Sequence, residues 1–313
     1  MLDPDVMARC PPGPVGVAVS GGSDSVALLL LAADWARAAG RPLHVATVDH
    51  GLRAEAAEEA RFVATLCSRL DLTHETLHWR APATGNLMQA AREGRAALLS
   101  DWIAGRGGRA LLLGHTRDDV AETLLIRLQR GSGLDGLAAM QAVLPGSGPG
   151  PVTVLRPLLG QGRDALRQML RRRGQDWCED PSNADPRYTR ARTRRLIADA
   201  GLDAERLADT AERLRGAREV QDAAVADLLA RSASQDRWGA LHLSRPVLAA
   251  APRDLLRGAL LAALTHLSGP GHPPRQAALD RLATALDDGE DATLSGLRLR
   301  SRGAVATLWP EQR

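Results

Sequence analysis

Ser20-Gly21-Gly22-Ser23-Asp24-Ser25 brings two adjacent glycines, three hydroxyls and one carboxylate into six residues. The hexapeptide follows the β-rich run Val15–Val19 and leads into Ser25–Ala39, which has the length and Ala/Leu content of a helix. Adjacent glycines let the backbone turn tightly and approach a ligand closely. The unpaired N–H groups of a helix's first turn carry the positive end of its dipole. The loop therefore reads as an anion cradle. Ser20, Ser23 and Ser25 add donors, and Asp24 could help hold Mg2+ beside bound phosphates. A plain serine-capped turn is the simpler alternative. Neither GxxxxGK[ST] nor GxGxxG occurs, so the usual nucleotide signatures do not apply.

A second group of candidates is His115, Asp118, Asp119 and Glu122, spaced i, i+3, i+4 and i+7. A helix beginning near His115 would put all four on one face. Three carboxylates on one face are costly unless something cationic lies opposite, and a metal ion or a substrate ammonium would fit. Acidic residues in a first turn also serve as caps and suit the dipole, which is the competing reading. His115, with an ordinary pKa near ~6.5, has either protonation state open to it at neutral pH. Asp49 and His50 lie in a third segment, Val48–Arg53, at the carboxyl end of the second β-type run, placed to surround an adenosine or merely to turn the chain. Arg187–Arg195 holds five Arg and no acid, which suits RNA phosphates or a solvated helical face.

These candidates need a scaffold, and the sequence supplies an alternation. β-type runs at Val15–Val19, Leu43–Val48, Thr73–Trp79, Arg109–Leu113 and Val152–Leu155 alternate with helical patterns at Ser25–Ala39, Ala54–Leu70, Leu87–Ala104 and Asp118–Arg130. This predicts an α/β fold, a doubly wound and mostly parallel sheet covered on both faces. Such sheets bind ligands beyond the carboxyl ends of their strands. Pro145–Pro151 is a turn-rich interruption, expected to be a mobile surface loop. From about residue 201 the pattern becomes mainly helical: Ala204–Ala230, Pro252–Leu267 and Pro274–Asp287, then a hairpin around Arg302-Gly303. The expected division is residues 1–200 and 201–313.

Composition narrows the classes. The chain has 313 residues, 44% hydrophobic and 25% charged, which excludes a disordered tail, a collagen-like fibre and a small disulfide scaffold. Its apolar runs fall far short of the ~20 residues a membrane span needs. The N-terminus shows no basic-then-apolar leader, and the three cysteines are scattered, so a cytoplasmic location is expected. All basic residues are Arg, so any phosphate chemistry must use Arg forks, backbone N–H groups or metal. With 3% aromatic residues, few rings are present to stack RNA bases.

SGGSDS resembles the SGGxDS loop of the PP-loop ATP pyrophosphatases, which cleave ATP between its α- and β-phosphates. Taken in order, SGGSDS, VDHGLR (48–53), GHTRDDVAET (114–123), LQRGSGLDGLAAM (128–140), LRPLL (155–159) and WCEDPSN (177–183), followed by the Arg run, resemble the bacterial tRNA(Ile)-lysidine synthetase family over roughly residues 15–200. Ala191 stands where the family commonly has Asn. Met88 or Gln89, and Ala96, replace an acidic residue and a Tyr often found in relatives.

The resemblance implies a ligase joining free L-lysine to the wobble cytidine of tRNA(Ile) with a CAU anticodon. It would proceed through an adenylated cytidine and convert ATP to AMP and pyrophosphate, with Mg2+. It also implies roles. Ser20, Gly21, Gly22, Ser23, Asp24 and Ser25 would grip the pyrophosphate, with Asp24 as the metal ligand. Asp49 and His50 would lie near the adenosine. Asp118, Asp119 and Glu122 would hold the lysine amino groups, with His115 orienting or deprotonating. Arg92, Arg190, Arg192 and Arg194 would touch RNA, and residues 201–313 would form an accessory tRNA-binding domain. Two rivals stand beside this. A tRNA thiolase usually needs paired cysteines, which are lacking here. A retired, non-catalytic RNA-binding scaffold would not need the intact loop and acidic face.

Overall fold

The computed structural model describes residues 1–49, 56–79, 87–138, 140–146, 152–179, 185, 187–269 and 274–311; the side chains of residues 87–89 and 92 are also left aside. The chain forms two compact units, Met1–Leu214 and Arg215–Arg313.

The first unit runs α1 (Pro4–Ala8), β1 (Val15–Ala18), α2 (Ser23–Ala38), β2 (Leu43–Asp49), α3 (Ala56–Arg69), β3 (Thr73–His78), α4 (Leu87–Ala104) and β4 (Ala110–Leu113). It continues with α5 (Arg117–Gln129), α6 (Leu134–Leu137), β5 (Val143–Leu144), β6 (Thr153–Leu155), α7 (Arg163–Arg172), α8 (Thr189–Asp199) and the start of α9 (Ala204–Ser232). The sheet order is β3-β2-β1-β4-β6-β5, parallel except for the edge strand β5. This is the doubly wound sheet the alternation predicts.

β1 is buried along its whole length because helices cover both of its faces. Val15, Val17, Val26, Leu28, Leu29 and Leu112 form the core on one side; Leu99, Trp102, Ile103 and Leu111 belong to the other. Val15 pairs with Leu43 of β2 on one flank and with Ala110 of β4 on the other. The strand order therefore reverses between β1 and β4, the place where such sheets hold ligands, beyond the carboxyl ends of the strands. The loop after β1 is Ser20–Ser25, and the loop after β4 carries His115. The turn Pro145–Gly146 is described; the rest of that Gly/Pro-rich loop lies outside the described residues.

The second unit holds the rest of α9, then β7 (Ala233–Gln235), β8 (Leu241–Ser244), α10 (Arg245–Ala249), α11 (Arg253–Ser268), α12 (Gln276–Asp288), β9 (Ala292–Leu294), β10 (Leu297–Arg302) and β11 (Val305–Pro310). α9, α11 and α12 fall where the periodicity places helices, whereas the five-residue α10 carries no such signal. Beside them lies an antiparallel sheet, β7-β8-β11-β10-β9, of which sequence patterning indicates only the β10–β11 hairpin. The other strands are three or four residues long, too short for their alternation to show. Leu243, Leu248, Leu260, Leu286, Leu299 and Leu308 fill its core. Among the described residues, no helix is long and apolar enough to cross a membrane.

Candidate active site

The loop after β1 is built to leave donors open. Gly21 adopts φ +93°, a conformation that favours glycine, and its carbonyl accepts from the Cys178 N–H at 2.9 Å. Gly22 is the N-cap of α2 and offers no side-chain cap, so no side chain of the cap residue satisfies the first-turn N–H groups. Ser25 folds back: its Oγ donates to the Gly22 carbonyl at 2.9 Å and accepts from the Ser20 N–H at 3.2 Å. Ser23 Oγ donates to Asp24 Oδ1 at 3.1 Å. Gly114, at the end of β4, lies against this turn. A Cβ there would come within 3.2 Å of the Asp24 carbonyl oxygen and of Ser25 Cα, so glycine lets the two site segments touch.

The second segment differs from expectation in its start. α5 begins at Arg117 with Thr116 as N-cap, so His115 precedes the helix and does not share its face by helical spacing. Asp118, Asp119 and Glu122 are helical. Asp119 satisfies both readings of the acidic cluster, one with each oxygen. Its Oδ2 accepts from the Thr116 N–H at 2.8 Å and from Thr116 Oγ1 at 3.0 Å, a capping box. Its Oδ1 faces cations instead.

The cation opposite is Arg163, at the first position of α7, which sequence reasoning missed. Its Nε donates to Asp24 Oδ2 at 2.9 Å, its Nη1 to Glu122 Oε1 at 3.1 Å and its Nη2 to Asp119 Oδ1 at 3.4 Å. Its main-chain N–H donates to Asp118 Oδ2 at 2.8 Å. Two members of the Arg run join in. Arg194 Nε donates to Glu122 Oε1 at 2.9 Å, and Arg190 Nη1 lies 3.6 Å from Asp119 Oδ1. The packing of α7 on α2 and of α8 on α5 brings these arginines in. Arg190 and Arg194, both expected on RNA, thus also meet carboxylates. Arg192 is exposed, with its guanidinium donating to the Arg187 carbonyl and Thr189 Oγ1. Glu122 is 1% exposed, and among the described residues its Oε2 has no hydrogen-bond partner.

Electrostatics follow from this geometry. Burial pushes the Asp24 carboxyl above its usual range even though Arg163 opposes the shift. Burial would also raise Asp119, but Arg163, the Thr116 N–H and Arg190 more than offset it, and its carboxyl sits below the usual range. Arg163 holds its proton more tightly than a free guanidinium, because the attraction of Asp24, Asp119 and Glu122 exceeds the effect of burial.

His115 is pushed down to about 4, mainly by burial, with Arg156 and Arg190 adding to the shift and Asp119 opposing it. Arg156 Nε donates to His115 Nδ1 at 3.3 Å, so the neutral ring carries its proton on Nε2. The choice of states left open by the sequence thus closes: at neutral pH His115 is a hydrogen-bond donor. A consequence is testable by denaturation. The unfolded chain takes up a proton at His115 near 6.5, whereas the folded chain refuses it until about 4. Wild type should therefore lose stability as pH falls through that window, and His115→Asn should lose less. Equal losses in urea titrations at pH 7 and pH 5 would contradict the burial of a neutral ring.

Asp49 ends β2, where its carbonyl accepts from the Trp79 N–H at 2.9 Å and its Oδ2 lies 3.7 Å from His78 Nδ1. His50 lies outside the described residues, as does the Arg92 side chain. Among the described residues, no three His, Cys, Asp or Glu side chains form a cage for a metal. Asp24 has the chemistry for the other common arrangement, one carboxylate completed by substrate phosphates.

A strand-order reversal, with a glycine loop opening a helix beside it, defines a class, and the PP-loop domain model matches residues 6–200. The chain is 42% identical over 297 residues to tRNA(Ile)-lysidine synthase of Ruegeria pomeroyi, covering 94% of this chain and 70% of that protein. The identity to the same enzyme of Hyphomonas neptunium is 40% over 306 residues, covering 95% and 82%. The chain belongs to the tRNA(Ile)-lysidine synthase family. Among solved structures, the U34-tRNA thiolase NcsA from Methanococcus maripaludis, with its [4Fe-4S] cluster, is similar with a TM-score of 0.54 and 17% identity, over 65% of this chain and 72% of that one. That likeness concerns the fold.

Proposed function

We propose that this chain joins the side-chain amine of free L-lysine to the wobble cytidine of tRNA(Ile) bearing a CAU anticodon, converting ATP to AMP and pyrophosphate. The observation that carries this reading is the gathering of Asp24, Asp119 and Glu122 around one guanidinium beside the open N-terminus of α2. An anion cradle and a cation-holding acidic face meet at one site. A reaction that uses a triphosphate and an amine needs both. The names of the relatives supply the rest.

The chemistry requires two displacements. A carbonyl oxygen on a pyrimidine leaves very poorly. In the first step that oxygen attacks the α-phosphorus of ATP, the bond to the bridging oxygen breaks, and pyrophosphate departs. In the second, the lysine amine attacks the same ring carbon, the C–O bond breaks, AMP departs, and the nitrogen gives up a proton. The N–H groups and hydroxyls of Ser20–Ser25 hold the pyrophosphate portion. Asp24 is the side chain that would hold Mg2+, which supplies charge neutralisation at the phosphates. Asp119 and Glu122, with Asp118 beside them, hold the ammonium, and one of them takes the proton. His115 donates through Nε2–H. Asp49 lies on the adenosine side with His50.

Residues 201–313 act as an accessory tRNA-binding domain in this reading, and Arg92 and the Arg run assist. Arg192 is an exposed residue, as such contact needs. Arg192→Ala should weaken tRNA binding and reduce the salt slope by about one unit. An unchanged slope would assign Arg192 to a solvated face. The function itself is tested with ATP, radiolabelled lysine and a panel of tRNA transcripts. Label on the CAU-anticodon isoleucine transcript alone is expected; label on no transcript despite AMP release would point to another nucleophile.

A further inference from the structure

Arg163 joins two halves of the site that ought to bind different ligands. Its side chain is 12% exposed, and its guanidinium bonds to Asp24 on the phosphate loop and to Asp119 and Glu122 on α5. Among the described residues it alone reaches both sets: Arg194 meets Glu122 and Arg190 meets Asp119. Its main chain is pinned to α5 through Asp118, so a move by Arg163 is a swing of the side chain about a fixed base. Among the described residues one buried oxygen of Glu122 has no donor, so the arginines leave the acidic face short of hydrogen bonds.

We infer that Arg163 is a positioning residue that couples nucleotide and amine binding, standing in for the lysine ammonium until phosphates arrive. Without nucleotide, its guanidinium occupies the oxygens an ammonium would use, and a second cation there meets like-charge repulsion. A phosphate group at the N-terminus of α2 attracts the Arg163 guanidinium. The guanidinium then turns toward the phosphate, and Asp119 and Glu122 become available to the amine. An ammonium on those carboxylates in turn favours the position of Arg163 nearer the phosphate. Such coupling is reciprocal by thermodynamic necessity: each ligand tightens the other by one common factor.

The inference rests on the assignment of phosphate to the loop and amine to the acids, and the experiment separates the two. Calorimetric titrations on the full chain use L-lysine and α,β-methylene ATP, each alone and in the presence of the other. In wild type each ligand should tighten the other by the same factor, about tenfold or more. In Arg163→Gln lysine should bind more tightly than to wild type when nucleotide is absent, and the factor should fall to about one. A purely structural role predicts weaker lysine binding instead. Arg163→Lys keeps a cation for folding but cannot bridge three carboxylates, so its factor should also approach one. Melting curves identify any variant that is not folded, and the wild-type titrations decide the matter independently. Both ligands binding to wild type with a factor near one would overturn the coupling and leave the site assignment standing. If Asp24→Ala does not weaken nucleotide binding and Glu122→Gln does not weaken lysine binding, the site assignment falls and the coupling falls with it.

Discussion

Asp24→Ala is expected to form no detectable AMP while still binding tRNA. Asp24 is the only carboxylate on the phosphate loop, and both of its oxygens are oriented, Oδ1 by Ser23 and Oδ2 by Arg163. Its removal takes away the side chain suited to Mg2+ and releases one end of Arg163. Loss of preorganised charge stabilisation at a reacting phosphate commonly costs about 10²–10³-fold per group, and here two effects combine. The fold should persist, since α2 keeps its buried Val26, Leu28 and Leu29. Labelled ATP, a CAU-anticodon transcript and a filter-binding assay measure both quantities. Normal turnover would remove Asp24 from the site.

Glu122→Gln should separate the two displacements. The amide keeps the shape and one acceptor for Arg163 and Arg194, but the negative charge is lost. Lysine transfer should fall by about 10²–10⁴-fold, the range associated with a positioned acid or base. RNA-dependent release of pyrophosphate should continue, because the phosphate loop is untouched. Single-turnover assays following labelled lysine and labelled pyrophosphate in parallel make the comparison. Equal loss of both signals would place Glu122 in the adenylation step instead.

The sequence made the frame of this site legible. The β1–α2 loop was readable because two glycines, hydroxyls and a carboxylate follow a β-rich run directly. The acidic face was readable because Asp118, Asp119 and Glu122 fit helical spacing. The start of α5 was not, since Thr116 can be read as a helical residue as easily as a cap. Arg163 was missed because it is far from the loop in sequence and no motif marks it. One physical signal was present: an Arg at the first position of a helix opposes the dipole, so it needs an anionic partner. Spacing alone does not reveal that Arg190 and Arg194 of the Arg run reach the buried carboxylates of Asp119 and Glu122. In the second unit, Leu297, Leu299 and Ser301 alternate with Arg298, Arg300 and Arg302 and announce a strand. β7 and β9 are too short to do so.

A crystal structure of the chain with ATP tests the central claim most directly. The account predicts the β- and γ-phosphates on the main-chain N–H groups of Ser20–Ser25, at the head of α2. Phosphates bound elsewhere, with that loop vacant and Asp24 still paired with Arg163, would contradict it.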